Sequence, residues 1–357
     1  WLEAATGGRA YCGPLRRIRV HPEGVIRHMV CRPAGHEVAY DLDSTLSPGD
    51  VYSADLDNGR VAQWTVSEIG PLAVSRFVRP RLVRVPSFDD LQLPSFLYMP
   101  RAVARPAAGY PVVIYFHGGP AQQYRPTFLP ANHALSFQHL LAQGVAVFAV
   151  NVRGSSGYGK SFLDSDNGMK RSDAIRDIGA VLDWVAANEE LDHDRVCVMG
   201  RSYGGFMVLA GLIEFSHRIK CGVETCGVTD FVTFLETTAP YRRALRRLEY
   251  GDERDEEMRD FLHSISPHRL AHRIKRPLFI GQGSNDTRVP LSEFLQIAQA
   301  VRTNNRPVWS FLAVGEGHVF RRKAIQDTHA QAMALFLERY LLDKQPTRRR
   351  RTLKETV

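Results

Sequence analysis

Between residues 17 and 66 apolar and polar positions alternate in short runs, 18–20, 25–30, 36–40, 51–56 and 60–66, separated by turn clusters such as Asp57-Asn58-Gly59. A period of two marks half-buried strands, and Asn-Gly closes hairpins, so this region predicts a series of antiparallel hairpins. The strands are too few for a closed barrel or sandwich. One blade-like sheet that needs a partner surface is expected instead.

After a further hairpin over 81–85 and 93–99 the pattern changes. Residues 112–116, 145–150, 195–199 and 278–280 are continuous, largely β-branched or aromatic runs, as in strands covered on both faces. Helical stripes lie between and beyond them: Ile175, Ile178, Leu182 and Val185 form one, and Met333, Phe336, Leu337, Tyr340 and Leu341 another. Strands alternating with helices imply an α/β fold with a doubly wound, mostly parallel sheet. The expected division is 1–80 as the β-hairpin segment, 81–344 as the α/β unit and 345–357 as a basic, solvated tail.

Composition changes this picture little. The 357 residues are 44% hydrophobic and 24% charged, which excludes a disordered chain or a disulfide scaffold. The net charge is +8, yet residues 345–357 hold Arg348 to Arg351 and Lys354 against Glu355 alone, so half the excess lies in that tail. No stripe of basic and aromatic residues remains on the body, and no nucleic-acid partner is expected. Five cysteines (Cys12, Cys31, Cys197, Cys221, Cys226) without a CxxC pair read as reduced core thiols in a cytoplasmic protein. No window approaches a membrane span, so no membrane partner is expected. The chain begins at Trp1 rather than Met, which reads as a processed or trimmed start.

Candidate chemistry begins where the apolar run 196–199 enters Gly200-Arg201-Ser202-Tyr203-Gly204-Gly205. This is G-x-S-x-G between a strand and an apolar helix, the setting of a nucleophile elbow. The bland alternative is a glycine-rich turn with an incidental serine. A serine needs a base and an orienter, in the chain order Ser, Asp, His that this topology imposes. Asp286 follows the run 277–280 in Gly283-Ser284-Asn285-Asp286, and His318 follows 308–314 in Gly315-Glu316-Gly317-His318. Both lie just past predicted strand ends, where open α/β sheets place their sites. His318 alone would read as a loop histidine; its position in the order separates it from the other twelve. Oxyanion donors are expected from the Tyr203 N–H and from Gly118 or Gly119 in His117-Gly118-Gly119-Pro120, since Pro120 has none to give.

Two other patterns compete. Gly154-Ser155-Ser156-Gly157-Tyr158-Gly159-Lys160-Ser161 fits the phosphate-loop pattern GxxxxGK[ST], which would make the chain a nucleotide-binding protein. That reading needs a helix opening at Lys160, whereas residues 162–168 read as turn. His268 and His272 have the i, i+4 spacing of a metal pair, with His263 nearby, but no third ligand cluster accompanies them, and a solvated face is the simpler reading.

Taken together, His117 to Pro120, Arg153 to Gly159, Gly200 to Gly205, Ser284 to Pro290 and Glu316 to His318 resemble the prolyl oligopeptidase family of serine peptidases, most of all its acylaminoacyl-peptidase branch. The resemblance covers residues 81–342. It implies an α/β-hydrolase domain with Ser202, Asp286 and His318 as triad, Tyr203 and the His117–Pro120 turn as oxyanion hole, and no metal or cofactor. It also implies that Arg288, two residues past the aspartate, holds a substrate carbonyl, and that Val228, Phe231, Phe234 and Tyr241 are candidates for the pocket that receives the substrate side chain. By pattern alone those aromatics could equally be core. Family members carry a β-propeller before this domain, and residues 1–80 resemble only its last blade. Either the missing blades lie upstream of Trp1, or the site is open or covered by a second copy, and a homo-oligomer is expected. The implied activity is hydrolysis of acyl-amino-acid or short peptide substrates through an acyl-enzyme, with a carboxylesterase using the same residues as the alternative.

Overall fold

The computed structural model describes residues 23–69, 74–128 and 136–344. The expected strand at 18–20, Cys12 and the basic tail lie outside these residues.

Four strands, β1 (Val25–Cys31), β2 (Glu37–Ser44), β3 (Ser47–Asp55) and β4 (Val61–Gln63), form an antiparallel sheet in that order. Alternation buries Val38, Tyr40 and Leu42 of β2 together with Tyr52 and Ala54 of β3 on one face. Tyr40 and Tyr52 are directly opposed, their rings stacked at 5.8 Å. The turn after β3 is closed by Asp55, whose carboxylate accepts from the N–H groups of Asp57 and Asn58.

The rest of the chain builds an eight-stranded sheet. Its strands are β5 (Arg81–Pro86), β6 (Gln92–Tyr98), β7 (Tyr110–Phe116), β8 (Ala146–Val150), β9 (Leu191–Arg201), β10 (Cys221–Thr225), β11 (Leu278–Gly283) and β12 (Val308–Ala313). Their spatial order is β12-β11-β10-β9-β7-β8-β6-β5. The five pairings from β8 through β7 and β9 to β12 are parallel, and only β6 with its neighbours β5 and β8 is antiparallel. The helices are α1 (Phe137–Ala142), α2 (Lys160–Leu163), α3 (Arg171–Ala186), α4 (Tyr203–Glu214), α5 (Phe231–Thr237), α6 (Pro240–Tyr250), α7 (Glu256–Ser264), α8 (Leu291–Arg302) and α9 (Lys323–Tyr340).

Period-two alternation divides the core. Ile114, Phe116, Phe148 and Val198 face one layer with Ile178, Val181 and Leu182 of α3 and most of α4. Val113, Tyr115, Val147 and Met199 face the other with Met333, Phe336 and Leu337 of α9. Chain order reverses between β7 and β9, so the carboxyl ends of these adjacent strands form the switch point at which such sheets bind ligands. His117 leaves the end of β7 there, and Ser202 leaves the end of β9.

The small sheet meets this domain beside that edge. The Phe128 N–H donates to the Asp43 carboxylate at 2.9 Å, and the same carboxylate pairs with Arg27. Three cysteines are buried as expected, but Cys31 is exposed because β1 turns most of its side chains to solvent. Among the described residues no helix is long and apolar enough to cross a membrane.

Candidate active site

Ser202 has φ 58° and ψ −121°, a left-side conformation that L-residues rarely adopt. It is held by its neighbours' lack of side chains. A Cβ on Gly204 would strike the Phe116 carbonyl oxygen, and one on Gly205 would come within 2.7 Å of Gly227 Cα. The Ser202 N–H donates to the Thr225 carbonyl at 2.9 Å, tying the turn to β10. Helix α4 opens at Tyr203, so by helix geometry the Tyr203 N–H has no partner within the helix.

Asp286 follows β11 and His318 follows β12. His318 Nδ1 lies 2.6 Å from Asp286 Oδ2, while Asp286 Oδ1 accepts from the N–H groups of Arg288 at 2.8 Å and Val289 at 3.0 Å. Burial by itself would push the Asp286 carboxyl up, but the His318 hydrogen bond and charge and these two amides outweigh it and hold it below the usual carboxylate range. Burial pushes the His318 imidazole down, helped by Arg201 and Arg288 and opposed by Asp286. The ring is therefore neutral at neutral pH, with Nδ1–H committed to Asp286 and Nε2 left as the acceptor a general base requires.

At the end of β7, His117 is buried and its pKa is pushed down to about 4. As a neutral ring it donates from Nδ1 to the Gly118 carbonyl at 2.7 Å, and its Nε2 lies 2.8 Å from the Ser155 hydroxyl, which also reaches the Val152 carbonyl at 2.6 Å. Fixing the Gly118 carbonyl fixes its peptide plane, and in a trans peptide the Gly119 N–H points the opposite way. The Gly119 carbonyl is tied in turn by the Tyr250 hydroxyl and by Arg246 Nη1, each at 3.2 Å. Gly118 lies close against the elbow: a Cβ there would stand 3.2 Å from the Arg201 carbonyl oxygen.

Ser202, His318, Gly118, Gly119 and Arg288 line one cavity of about 770 Å³. Asp286 lies behind His318, as an orienting group should. The four residues considered for the side-chain pocket do not line this cavity. Val228, Phe231 and Phe234 are buried in the core, where Phe231 packs edge-on against Phe206 and Phe234 against Tyr250. Tyr241 is 76% exposed on the outer face of α6. Apolar letters look alike in a core and in a pocket, and here the core claimed three of them.

The phosphate-loop segment also differs from its pattern. A helix does open at Lys160, contrary to expectation, but it is one turn long. Three amides of this segment are already engaged: Gly154 N–H donates to Phe162 O, Ser155 N–H to Val152 O and Ser156 N–H to Gln122 O. These three are not available to a phosphate. His268 and His272 miss helical register because only Ala271–Arg273 is helical there, and in 3₁₀ form.

Three features of the site carry no local sequence signal. Ser155 reaches His117 across 38 positions. Arg171, fully buried, pairs with Asp166 and Glu249 and stacks beneath the rings of Tyr203 and Tyr250 at 5.1 and 4.9 Å. Cys226 places its Sγ within 4.8 Å of ligand atoms on Asp286 and His318. Burial pushes that thiol up to about 12, so it stays protonated, and His318 Nδ1 is already engaged by Asp286; the trio does not have the chemistry of a metal site.

The profile of the prolyl oligopeptidase family matches residues 132–344. Dipeptidyl aminopeptidase BIII of Pseudoxanthomonas mexicana is 35% identical over 250 residues, 67% of this chain and 35% of its own. The acylamino-acid-releasing enzyme of Mus musculus is 25% identical over 71% of this chain and 34% of its own. The chain thus spans about a third of the length of these curated relatives. A puromycin-hydrolyzing peptidase of Mycobacterium tuberculosis shares the fold with a TM-score of 0.77 at 23% identity, over 86% of this chain and 46% of that one. With the elbow, the strand-end aspartate and histidine and a match over most of the α/β domain, the chain belongs to the prolyl oligopeptidase family of serine peptidases.

Proposed function

We propose that this chain hydrolyses acyl-amino-acid or short peptide substrates by two-step acyl transfer at Ser202. The observation that carries the reading is the 2.6 Å contact of a half-buried, neutral His318 with an ionised Asp286, on the wall of the cavity that also holds the strained Ser202. His318 Nε2 takes the Ser202 proton as Oγ attacks the acyl carbonyl, and Asp286 stabilises the imidazolium that forms. The N–H groups of Tyr203 and Gly119 receive the developing oxyanion. Collapse of the tetrahedral intermediate breaks the amide bond, with His318 returning its proton to the leaving amine, and water then releases the acyl group by the same steps. Relatives named as an aminopeptidase and as an acylamino-acid-releasing enzyme favour a short peptide or blocked amino acid as substrate. Arg288 would hold a substrate carbonyl; its exposure at the cavity with no carboxylate partner among the described residues supports that role.

The test is active-site labelling with a fluorophosphonate, followed by a kinetic panel of acyl-amino-acid anilides, unblocked dipeptide anilides and short nitrophenyl esters. Ser202 should carry the label, and Ser202→Ala should abolish it and lower turnover by about 10⁶-fold. Labelling that persists in the alanine variant overturns the assignment. Turnover of esters with no anilide cleaved overturns the peptide substrate class.

A further inference from the structure

The cavity around Ser202 is lopsided in charge. Seven of its lining residues are Arg or Lys, against a single lining carboxylate, Asp327, which is bonded to Lys323. Arg27 is paired with Asp43. Of the other five, Arg201 is buried with its guanidinium over the Phe320 ring, while Arg125, Arg242, Arg246 and Arg288 have no ion pair among the described residues.

Two of these come from one helix face. Arg242 and Arg246 stand four residues apart on α6, so both project toward the cavity, one turn above the other. Their neighbours Arg243 and Arg247 are committed elsewhere, to the Thr238 carbonyl and to Glu253. Arg246 reaches the Gly119 carbonyl with Nη1, which places its guanidinium beside the oxyanion turn. The Nε of Arg242 is buried without any hydrogen-bond partner. Burial and the like charges of Arg246 and Arg288 hold the Arg242 guanidinium below its usual range. Like charges converging on a half-buried cavity, with a donor left unmatched, destabilise the empty site; a bound anion reverses the sign of that energy.

We propose that Arg242 and Arg246 form a carboxylate-binding subsite next to Ser202, so that preferred substrates carry a carboxylate close to the scissile bond. The planar, multi-donor guanidinium suits a carboxylate in particular. The inference rests on the peptidase reading of the same cavity. Two sources supply the same group: an acidic side chain of the substrate, or the free carboxyl terminus of a short peptide.

Binding is measured without turnover, as protection of Ser202 from an uncharged fluorophosphonate. Two ligand pairs serve: N-acetyl-Asp-Ala-amide against N-acetyl-Asn-Ala-amide, and N-acetyl-Ala-Ala with a free carboxylate against its amide. In at least one pair the carboxylate member should protect at about 5- to 20-fold lower concentration. The pair that responds identifies the source. Raising salt to about 0.5 M should erode the advantage, because the cavity opens to solvent. The ratio, in which any general loss cancels, should fall toward unity in Arg242→Gln and in Arg246→Gln and be largely kept in Arg242→Lys. Parent ratios within roughly 2-fold in both pairs overturn the subsite, as does a salt-insensitive ratio, absence of protection by either carboxylate, or a preference unchanged in the glutamine variants. Failure of the peptidase reading looks different: no anilide is cleaved, while the protection ratios stand.

Discussion

The Ser155 hydroxyl lies 2.8 Å from Nε2 of His117, so a loop spelling a phosphate-binding pattern instead touches the turn beside Ser202, the proposed nucleophile. Removing that hydroxyl frees the imidazole to rotate and releases the Gly118 carbonyl, and with it the direction of the Gly119 N–H. Ser155→Ala should lower kcat on a short ester by about 10-fold with KM little changed, since a misaimed oxyanion donor harms only the transition state. A melting temperature close to the parent's would show that folding is not the cause. An unchanged kcat removes His117 and Ser155 from the oxyanion turn.

The acid limb of kcat/KM reports His318 in the free enzyme. A base must be unprotonated, and burial together with Arg201 and Arg288 disfavours the imidazolium, so activity should persist below the ordinary imidazole value of 6.5 and be lost as pH falls further. Arg288→Gln removes one of the like charges and should move the midpoint upward. A midpoint at or above 6.5 in the parent, or a downward move in the variant, contradicts this electrostatic account.

Arg288 also separates substrate binding from bracing of the Asp286 loop. If its guanidinium holds a substrate carbonyl, Arg288→Ala should cost about 10- to 150-fold in kcat/KM on acyl-amino-acid anilides and only a few-fold on nitrophenyl butyrate, which lacks that carbonyl. A bracing role would damage both substrates alike through a displaced Asp286. Equal losses therefore argue against carbonyl binding.

Arg171 is a structural counterpart. Its replacement by Met leaves Asp166 and Glu249 without their cation beneath Tyr203, and breaking a buried pair in this way costs about 3–5 kcal/mol. Urea denaturation of Arg171→Met reads this directly. A loss below about 1 kcal/mol would mean that the buried charges find other partners.

The residues proposed as the triad are announced locally in the sequence: Ser202 by flanking glycines at a strand-to-helix junction, Asp286 and His318 by glycine-bearing turns at strand ends in the expected order. The parallel sheet was legible for a similar reason, since strands buried on both faces, such as β7 and β8, read as unbroken apolar runs. What escaped depends on contacts between distant positions. Nothing near Ser155 announces His117, and nothing near Arg171 announces Tyr203. The substrate pocket was misjudged because burial of Phe231 and Phe234 against α4 and Tyr250 is a packing outcome, not a property of their letters. The arginines of α6 were passed over because a basic helix ordinarily faces water, and only the placement of Arg242 and Arg246 over the cavity distinguishes them.

At the elbow, three stretches of main chain touch with no side chains between them: Gly204 lies against the end of β7, and Gly205 against Gly227 beyond β10. Where backbone rests on backbone, the spacing is set by atoms that every residue shares. Exchange of the surrounding core residues can therefore alter volumes in the layers on either side without transmitting the change to Ser202. Drift in those layers leaves the turn in place as long as the glycines stay. The same contact makes the elbow unforgiving in the other direction, because a single methyl group at Gly204 has nowhere to go except into the main chain of the neighbouring strand.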